Sequence, residues 1–171
     1  MPLSGLTIGK QLRQANVEKK AERQILVFTL GRKELGLDLG CVREVLRLQE
    51  IHPLPKAPPF IEGVIPLRGR LIPLIDLGKK LHAEPIEVKT DKRIIICRMN
   101  RMIVGLTVES VKEVVALPRE DIQSTPEVVS LHMETDVLSG IGRIAGRIIP
   151  ILDLEYVLNK KEIAELSTLE P

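Results

Sequence analysis

The 171-residue chain has no tryptophan, one tyrosine and two phenylalanines. Binders of single-stranded nucleic acid stack bases on aromatic platforms, and Phe28, Phe60 and Tyr156 are too few and too scattered to build one. Cysteine is almost as scarce. Cys41 and Cys97 lie far apart and outside any CxxC pattern, which points to two apolar thiols in a reducing compartment and away from zinc or redox chemistry. The net charge of +2 supplies no global basic field to hold a polyanion. No run approaches the roughly 18 apolar residues that span a bilayer, and the first ten residues lack the pattern of a secretion signal. The cytoplasm is therefore the expected location.

What is present is aliphatic. Hydrophobic residues make up 44% and charged residues 28%, the balance of a folded globular protein of one ordinary domain or two small ones. The 19 isoleucines and 15 valines carry the branching that suits buried strands, so the chain is expected to be mainly β. Residues 1–24 are polar and mixed in charge and read as an extension, a solvated tail more than a basic arm. From Ile25 the text becomes short apolar runs (ILVFTL, ELGLDL, VLRL, GVIPL, RLIPLIDL) broken by Gly, Pro and charged pairs, with a hairpin turn at Gly31–Glu34. The Pro-rich HPLPKAPPF reads as a rigid connector, with a PxxP ligand as the alternative. Residues 159–171 carry a closing helix or tail.

The second half repeats the first. Placing Gly36 on Gly105 aligns GLDLGCVREVL with GLTVESVKEVV at an offset of 69. Further on, GVIPLRGRLIPLIDLGKKL aligns with GIGRIAGRIIPILDLEYVL at an offset of 77, with eight of nineteen positions identical. The eight-residue difference between those offsets is an insertion between Ala116 and Ser139. Each copy is too small to be comfortable alone, so two halves, roughly 25–90 and 91–158, are expected to share one apolar interface.

No reactive centre stands out. Asp76 and Asp153 occupy matching places in the two copies and invite comparison with a carboxylate dyad, but Leu follows each where Ser or Thr and then Gly would be needed to hold one. Capping of a strand end or helical turn is the favoured reading. His52, His82 and His132 form no HxH or HxxxH pair, and no glycine cluster matches a phosphate loop. No metal or cofactor is expected. Glu44 and Arg68 sit among apolar neighbours and read equally as a pair near the groove between the copies, a bridge that fixes geometry more than it stabilises, and as direct contacts to a partner, two compatible readings. Arg98, Arg101, Arg143 and Arg147 make a basic patch in one reading and an ordinary solvated barrel face in the other.

The strings FTLGRKELGLDLGCVREVL, PLPKAPPFIEGVIPLRGRLIPLIDL, VGLTVESVKEVVAL and GIGRIAGRIIPILDL closely resemble the bacterial chemotaxis coupling protein CheW and its relatives, over about Ile25 to Leu158. The resemblance implies two five-stranded, SH3-like β-barrels related by internal duplication, and a short C-terminal helix is expected to close the chain. It implies a non-enzymatic adaptor that links the cytoplasmic tip of a chemoreceptor to the regulatory domain of a histidine kinase, with membrane contact only through the receptor. By the same resemblance, Val42, Glu44, Gly63, Arg68 and Val111 would form the receptor groove, and Ile141 and Arg143 the kinase-facing edge. One departure stands out. The family commonly has Asn before Leu-Arg-Gly, and Pro66 stands there instead, so that strand is expected to bulge or lie at an edge, with receptor preference altered. The competing functions are a small-barrel nucleic-acid binder using the Arg-rich second copy, and a hydrolase built on Asp76 and Asp153.

Overall fold

The computed structural model describes residues 22–84, 91–124 and 137–168. Strands β1 (Arg23–Leu30), β2 (Lys33–Asp38), β3 (Val42–Arg47), β4 (Ile61–Leu67) and β5 (Arg70–Asp76) lead into a short helix α1 (Leu77–Lys80). Strands β6 (Arg93–Met99), β7 (Met102–Val108), β8 (Ser110–Leu117), β9 (Ile122–Gln123), β10 (Leu138–Ile144) and β11 (Arg147–Leu152) follow, and helix α2 (Lys160–Thr168) closes the chain. β1 begins at Arg23, two residues inside the expected extension; the rest of that segment, residues 1–21, lies outside the described residues.

Two sheets form, in the orders β8-β1-β2-β11-β10-β9 and β3-β6-β7-β5-β4. The repeat superimposes β1, β2, β3, β4 and β5 on β6, β7, β8, β10 and β11, so each sheet takes the first two strands of one copy and the last three of the other. Strand membership therefore crosses the 25–90 and 91–158 division. β9 falls inside the expected insertion and pairs with Ile141 as His52 pairs with Val64 in the first copy, where the contact is a single bridge.

The cores follow the same exchange. Ile25 and Val27 of β1 pack with Ile149 and Ile151 of β11 inside one sheet, and their repeat partners Ile94 and Ile96 pack with Ile72 and Leu74 inside the other. A larger cluster, including Phe28, Leu37, Ile75, Leu106 and Leu152, joins the two sheets. Gly36 and Gly105 are where the strands of different copies meet in parallel, opposite Ile151 and Leu74. A Cβ on Gly105 would lie 2.3 Å from Leu74 Cδ2, and one on Gly36 2.6 Å from Ile25 Cγ2, so both positions are emptied to admit a neighbour's side chain. Pro73 and Pro150 stand one residue before those parallel ladders start, where a missing N–H leaves no bond unmade.

The turns are also duplicated. Arg68-Gly69 and Ala145-Gly146 join β4 to β5 and β10 to β11 with φ of 49° and 78°, and 47° and 79°. Two consecutive positive φ values give the primed two-residue turn whose twist matches a hairpin. Each copy repeats its β-bulges as well, at Arg43 and Lys112 and at Glu62 and Ser139. β4 ends its sheet, and Pro66 sits exposed on it opposite Leu71. In a two-residue hairpin that pair is not hydrogen-bonded, so the proline nitrogen faces the open edge, the one place in a sheet that tolerates it.

α2 is fixed by a reciprocal cap: Asn159 N donates to Glu162 Oε1 at 2.9 Å and Glu162 N to Asn159 Oδ1 at 2.8 Å. Lys80 Nζ reaches both oxygens of Glu162 at 2.7 and 2.6 Å and lies 5.5 Å from the Phe60 ring centre, tying α2 to α1.

Candidate functional site

β3 is bonded to β6 on one side only, and the bulge at Arg43 breaks its alternation between Val42 and Glu44. Val42 is half-buried against the core that joins the sheets. The primed turn after β4 presents Arg68 to Glu44, with Nη1 2.5 Å from Oε2 and Nη2 3.2 Å from Oε1, the bidentate form that fixes both side chains. The hydrogen bond from Arg68 holds the Glu44 carboxyl below the usual carboxylate range, and the same bond raises the guanidinium. Arg68 remains 72% exposed against 25% for Glu44, so the pair shapes a surface more than it stabilises the fold.

Val111 on β8 is the repeat partner of Val42, lies opposite Phe28 and packs on the same shared core from the other sheet. Gly63 differs from the rest. It is buried with φ +152°, and a Cβ there would stand 2.3 Å from the His52 carbonyl oxygen. The close approach that Gly63 permits is made by this chain's own residues 51–52, which pair with Val64 through two 2.9 Å hydrogen bonds.

On the other sheet, Glu113, the partner of Glu44, meets Arg147 at 3.0 Å, and Arg147 also reaches Glu34 at 2.7 Å, with Lys112 3.6 Å from Glu34. Arg147 is thereby raised and neutralised, and is no part of a free basic patch. This cluster was not singled out from the sequence, although Glu113 aligns with Glu44. Ile141 retains 8% exposure between Pro150 on β11 and Gln123 on β9. Arg143 is exposed directly opposite Ile148, the most exposed large apolar residue described, at 67%.

Asp76 accepts from Lys79 N at 3.0 Å and Asp153 from Glu155 N at 3.1 Å, so each caps its own helical turn and the two do not form a dyad. Burial pushes the Cys41 thiol up to about 11, with Asp38 adding to the shift, and burial raises Cys97 as well. Among the described residues no cluster of three or more His, Cys, Asp or Glu could hold a metal, and no helix is long and apolar enough to cross a membrane.

The CheW-like domain matches residues 24–162, and so spans both sheets and the groove elements described above. The chain belongs to the CheW-like domain family. It is 31% identical over 142 residues to the chemotaxis protein CheW of Klebsiella aerogenes, covering 83% of this chain and 85% of that one. The CheW of Bacillus subtilis is 32% identical over 145 residues, with 84% and 92% covered. Among solved structures, the scaffolding protein TtCheW from Thermoanaerobacter tengcongensis superimposes with a TM-score of 0.75 at 34% identity, over 82% of this chain and 90% of that one. The CheW-like fold thus accounts for the mainly β architecture of two SH3-like units and the C-terminal helix.

Proposed function

We propose that this protein is a chemotaxis-type coupling scaffold, cytoplasmic and without catalysis of its own, that holds the cytoplasmic tip of a chemoreceptor and the regulatory domain of a histidine kinase in one assembly. The observation that carries the reading is the Glu44–Arg68 pair standing beside Val42 at the rim of the core shared by the two sheets. An amphipathic receptor helix needs an apolar strip with a fixed charged border, and Val42 and Val111 with that pair supply both. Gly63 supports the groove from beneath by letting residues 51–52 lie against β4.

The kinase-facing edge is the β10–β11 hairpin. Arg143 and Ile148 are its exposed contacts, and Ile141 lies two residues along the same face of β10. Its repeat counterpart, Pro66 opposite Leu71, offers a second such end, which suits a scaffold that extends an array through both barrels.

The test is co-sedimentation of the purified chain with a receptor cytoplasmic bundle and, separately, with a kinase regulatory domain. Glu44→Lys and Arg68→Glu should each weaken receptor binding at least tenfold, and the double exchange should restore part of it while kinase binding is unchanged. Ile148→Asp should do the reverse. A chain that sediments with neither partner refutes the assignment, and affinity for nucleic acid that falls steeply with salt would replace it with the nucleic-acid reading.

A further inference from the structure

The two sheets balance their charge differently at equivalent places. In the six-stranded sheet, Arg147 reaches Glu34 at 2.7 Å and Glu113 at 3.0 Å, and Lys112, at the bulge of β8, lies 3.6 Å from Glu34. Two cations there answer two carboxylates. The offsets of 69 and 77 carry Glu34, Lys112, Glu113 and Arg147 onto Ile103, Arg43, Glu44 and Arg70 of the five-stranded sheet. The framework is kept: Arg43 occupies the bulge of β3, and Arg70 opens β5 opposite Leu67 as Arg147 opens β11 opposite Ile144. The acids are not kept. Ile103 stands where Glu34 would be and packs against the barrel interior. Glu44 has both oxygens taken by Arg68, whose counterpart in the other turn is Ala145. Arg43 and Arg70, both exposed, are left with no ion pair among the described residues.

The excess of cations continues along β3. Arg47 stands directly opposite Arg93, where the other sheet pairs Ala116 with Gln24. Like charges facing each other across a ladder repel. Arg93 turns Nη1 to the backbone carbonyls of Asp91 and Lys92, each 3.1 Å away, and Arg47 stays exposed with no ion pair among the described residues. Between Arg43 and Arg47 on the same strand, Val45 is 39% exposed. The strand that carries Val42 therefore offers apolar contact bordered by guanidinium groups that the chain itself does not answer.

We propose that the receptor helix taken up beside Val42 carries carboxylates along its border, and that Arg43, Arg47 and Arg70 select it by charge. One carboxylate sits between Arg43 and Arg70, the place that Glu34 fills in the other sheet, and another meets Arg47 past Val45. The inference rests on the receptor reading above and adds the chemistry of the partner to it. Glu44 and Arg68 fix the shape of the border, and the three arginines determine specificity, because a helix of the same shape with Lys or Arg at those places is repelled.

The test is co-sedimentation of the full chain with a receptor cytoplasmic bundle at two salt concentrations. Binding of the parent should weaken at least about tenfold between about 0.05 and 0.5 M sodium chloride, as the border charges are screened. Arg43→Ala/Arg70→Ala changes two exposed side chains, so its urea midpoint should match the parent's, while binding at the lower salt falls at least about fivefold and depends less on salt. Arg43→Lys/Arg70→Lys should keep most of the affinity, which separates charge from packing. Exchanging the exposed Asp and Glu of the bundle tip for Asn and Gln should cost the parent a similar factor and cost the alanine double variant little more, the mark of a direct pair in a double-mutant cycle. Equal binding by the parent at both salts, equal binding by the alanine double variant, or losses that simply add overturn the inference and leave the receptor reading standing. A parent that does not sediment with the bundle at all overturns both.

Discussion

Replacing Gly63 with alanine separates two ways in which that residue can serve a groove. A Cβ would stand 2.3 Å from the His52 carbonyl oxygen, 2.8 Å from its carbon and 2.9 Å from Ile51 Cγ2, all far inside contact distance. Backbone is the first obstacle, so residues 51–52 must move away from β4. That displacement breaks the His52 N to Val64 O and Val64 N to His52 O bonds, each 2.9 Å long. Two backbone bonds at a net of about 0.5 to 1.5 kcal/mol each, with about 1 to 2 kcal/mol for a side chain at this left-handed φ, give a loss of about 2 to 5 kcal/mol. Urea unfolding of the purified variant measures it, and hydrogen exchange reports the site, with His52 and Val64 amides losing protection while those of β10 do not. An alanine variant within about 0.5 kcal/mol of the parent, with both amides still protected, would show that Gly63 does not act through residues 51–52.

Five further outcomes follow from the geometry. Ile149→Ala and Ile72→Ala empty equivalent places in the two barrel interiors and should each cost about 2 to 5 kcal/mol in denaturant unfolding. A chain ended at residue 90 lacks β6 and β7, on which β3 and β5 pair, and should show no cooperative unfolding transition until a fragment of residues 91–171 is added. Glu162→Ala removes the side-chain half of the reciprocal cap of α2 and its tie to Lys80, for about 1 to 2 kcal/mol and a loss of amide protection confined to α2 and α1. Cys41, with its thiol near 11, should react with iodoacetamide about tenfold faster per pH unit between pH 8 and 10, while Cys97 stays unlabelled until the chain unfolds. The Glu44 carboxyl is held low by Arg68, so the pair's contribution is complete above the ordinary carboxylate pKa and is lost as pH falls through the depressed value. Receptor binding should accordingly be flat from pH 6 to 8.

The strands, hairpins and duplication were legible because branched runs between Gly and Pro have few other uses, and the repeat offsets mark equivalent residues directly. The caps at Asp76 and Asp153 were legible from their context, and the Glu44–Arg68 pair was one of the two readings that its apolar neighbours allowed. The exchange of strands between copies was not, because alignment says which strands are equivalent and is silent on which copy supplies a neighbour. That is decided by connections. Two-residue primed turns keep β4 with β5 and β10 with β11, whereas the three-residue helical turn Leu39–Cys41, capped by Asp38, carries the chain from β2 into the other sheet. Ile141 was expected at a contact edge and is covered because β9 bonds to β10 beside it, as His52 bonds to Val64 in the first copy, and neither short pairing has a strand signal in the sequence. The Arg147 cluster escaped notice for a similar reason. Its other three members lie on β2 and β8, and only the exchange of strands brings β2, from the first copy, beside β11.

The exchange also bears on how a small scaffold holds two partners at once. If each barrel were one contiguous half, force on one end would be resisted only by the interface between halves. With strands traded, β1 and β2 are built into the sheet of β10 and β11 through the Gly36–Ile151 ladder, and β6 and β7 into that of β4 and β5 through Gly105–Leu74. Pulling the two ends apart then requires breaking sheet hydrogen bonds in both. Enlarging Gly36 should therefore weaken the joint without touching either proposed binding surface. Gly36→Val forces a side chain against Ile25 Cγ2, where even a Cβ sits at 2.6 Å, and should cost about 1 to 3 kcal/mol or more as an overpacked core. In a reconstituted assembly at a temperature where the variant remains folded, binding to each partner alone should be unchanged while control of the kinase by receptor is reduced. Full coupling by a variant shown to be destabilised would mean that the rigid joint between the sheets is not what carries the signal.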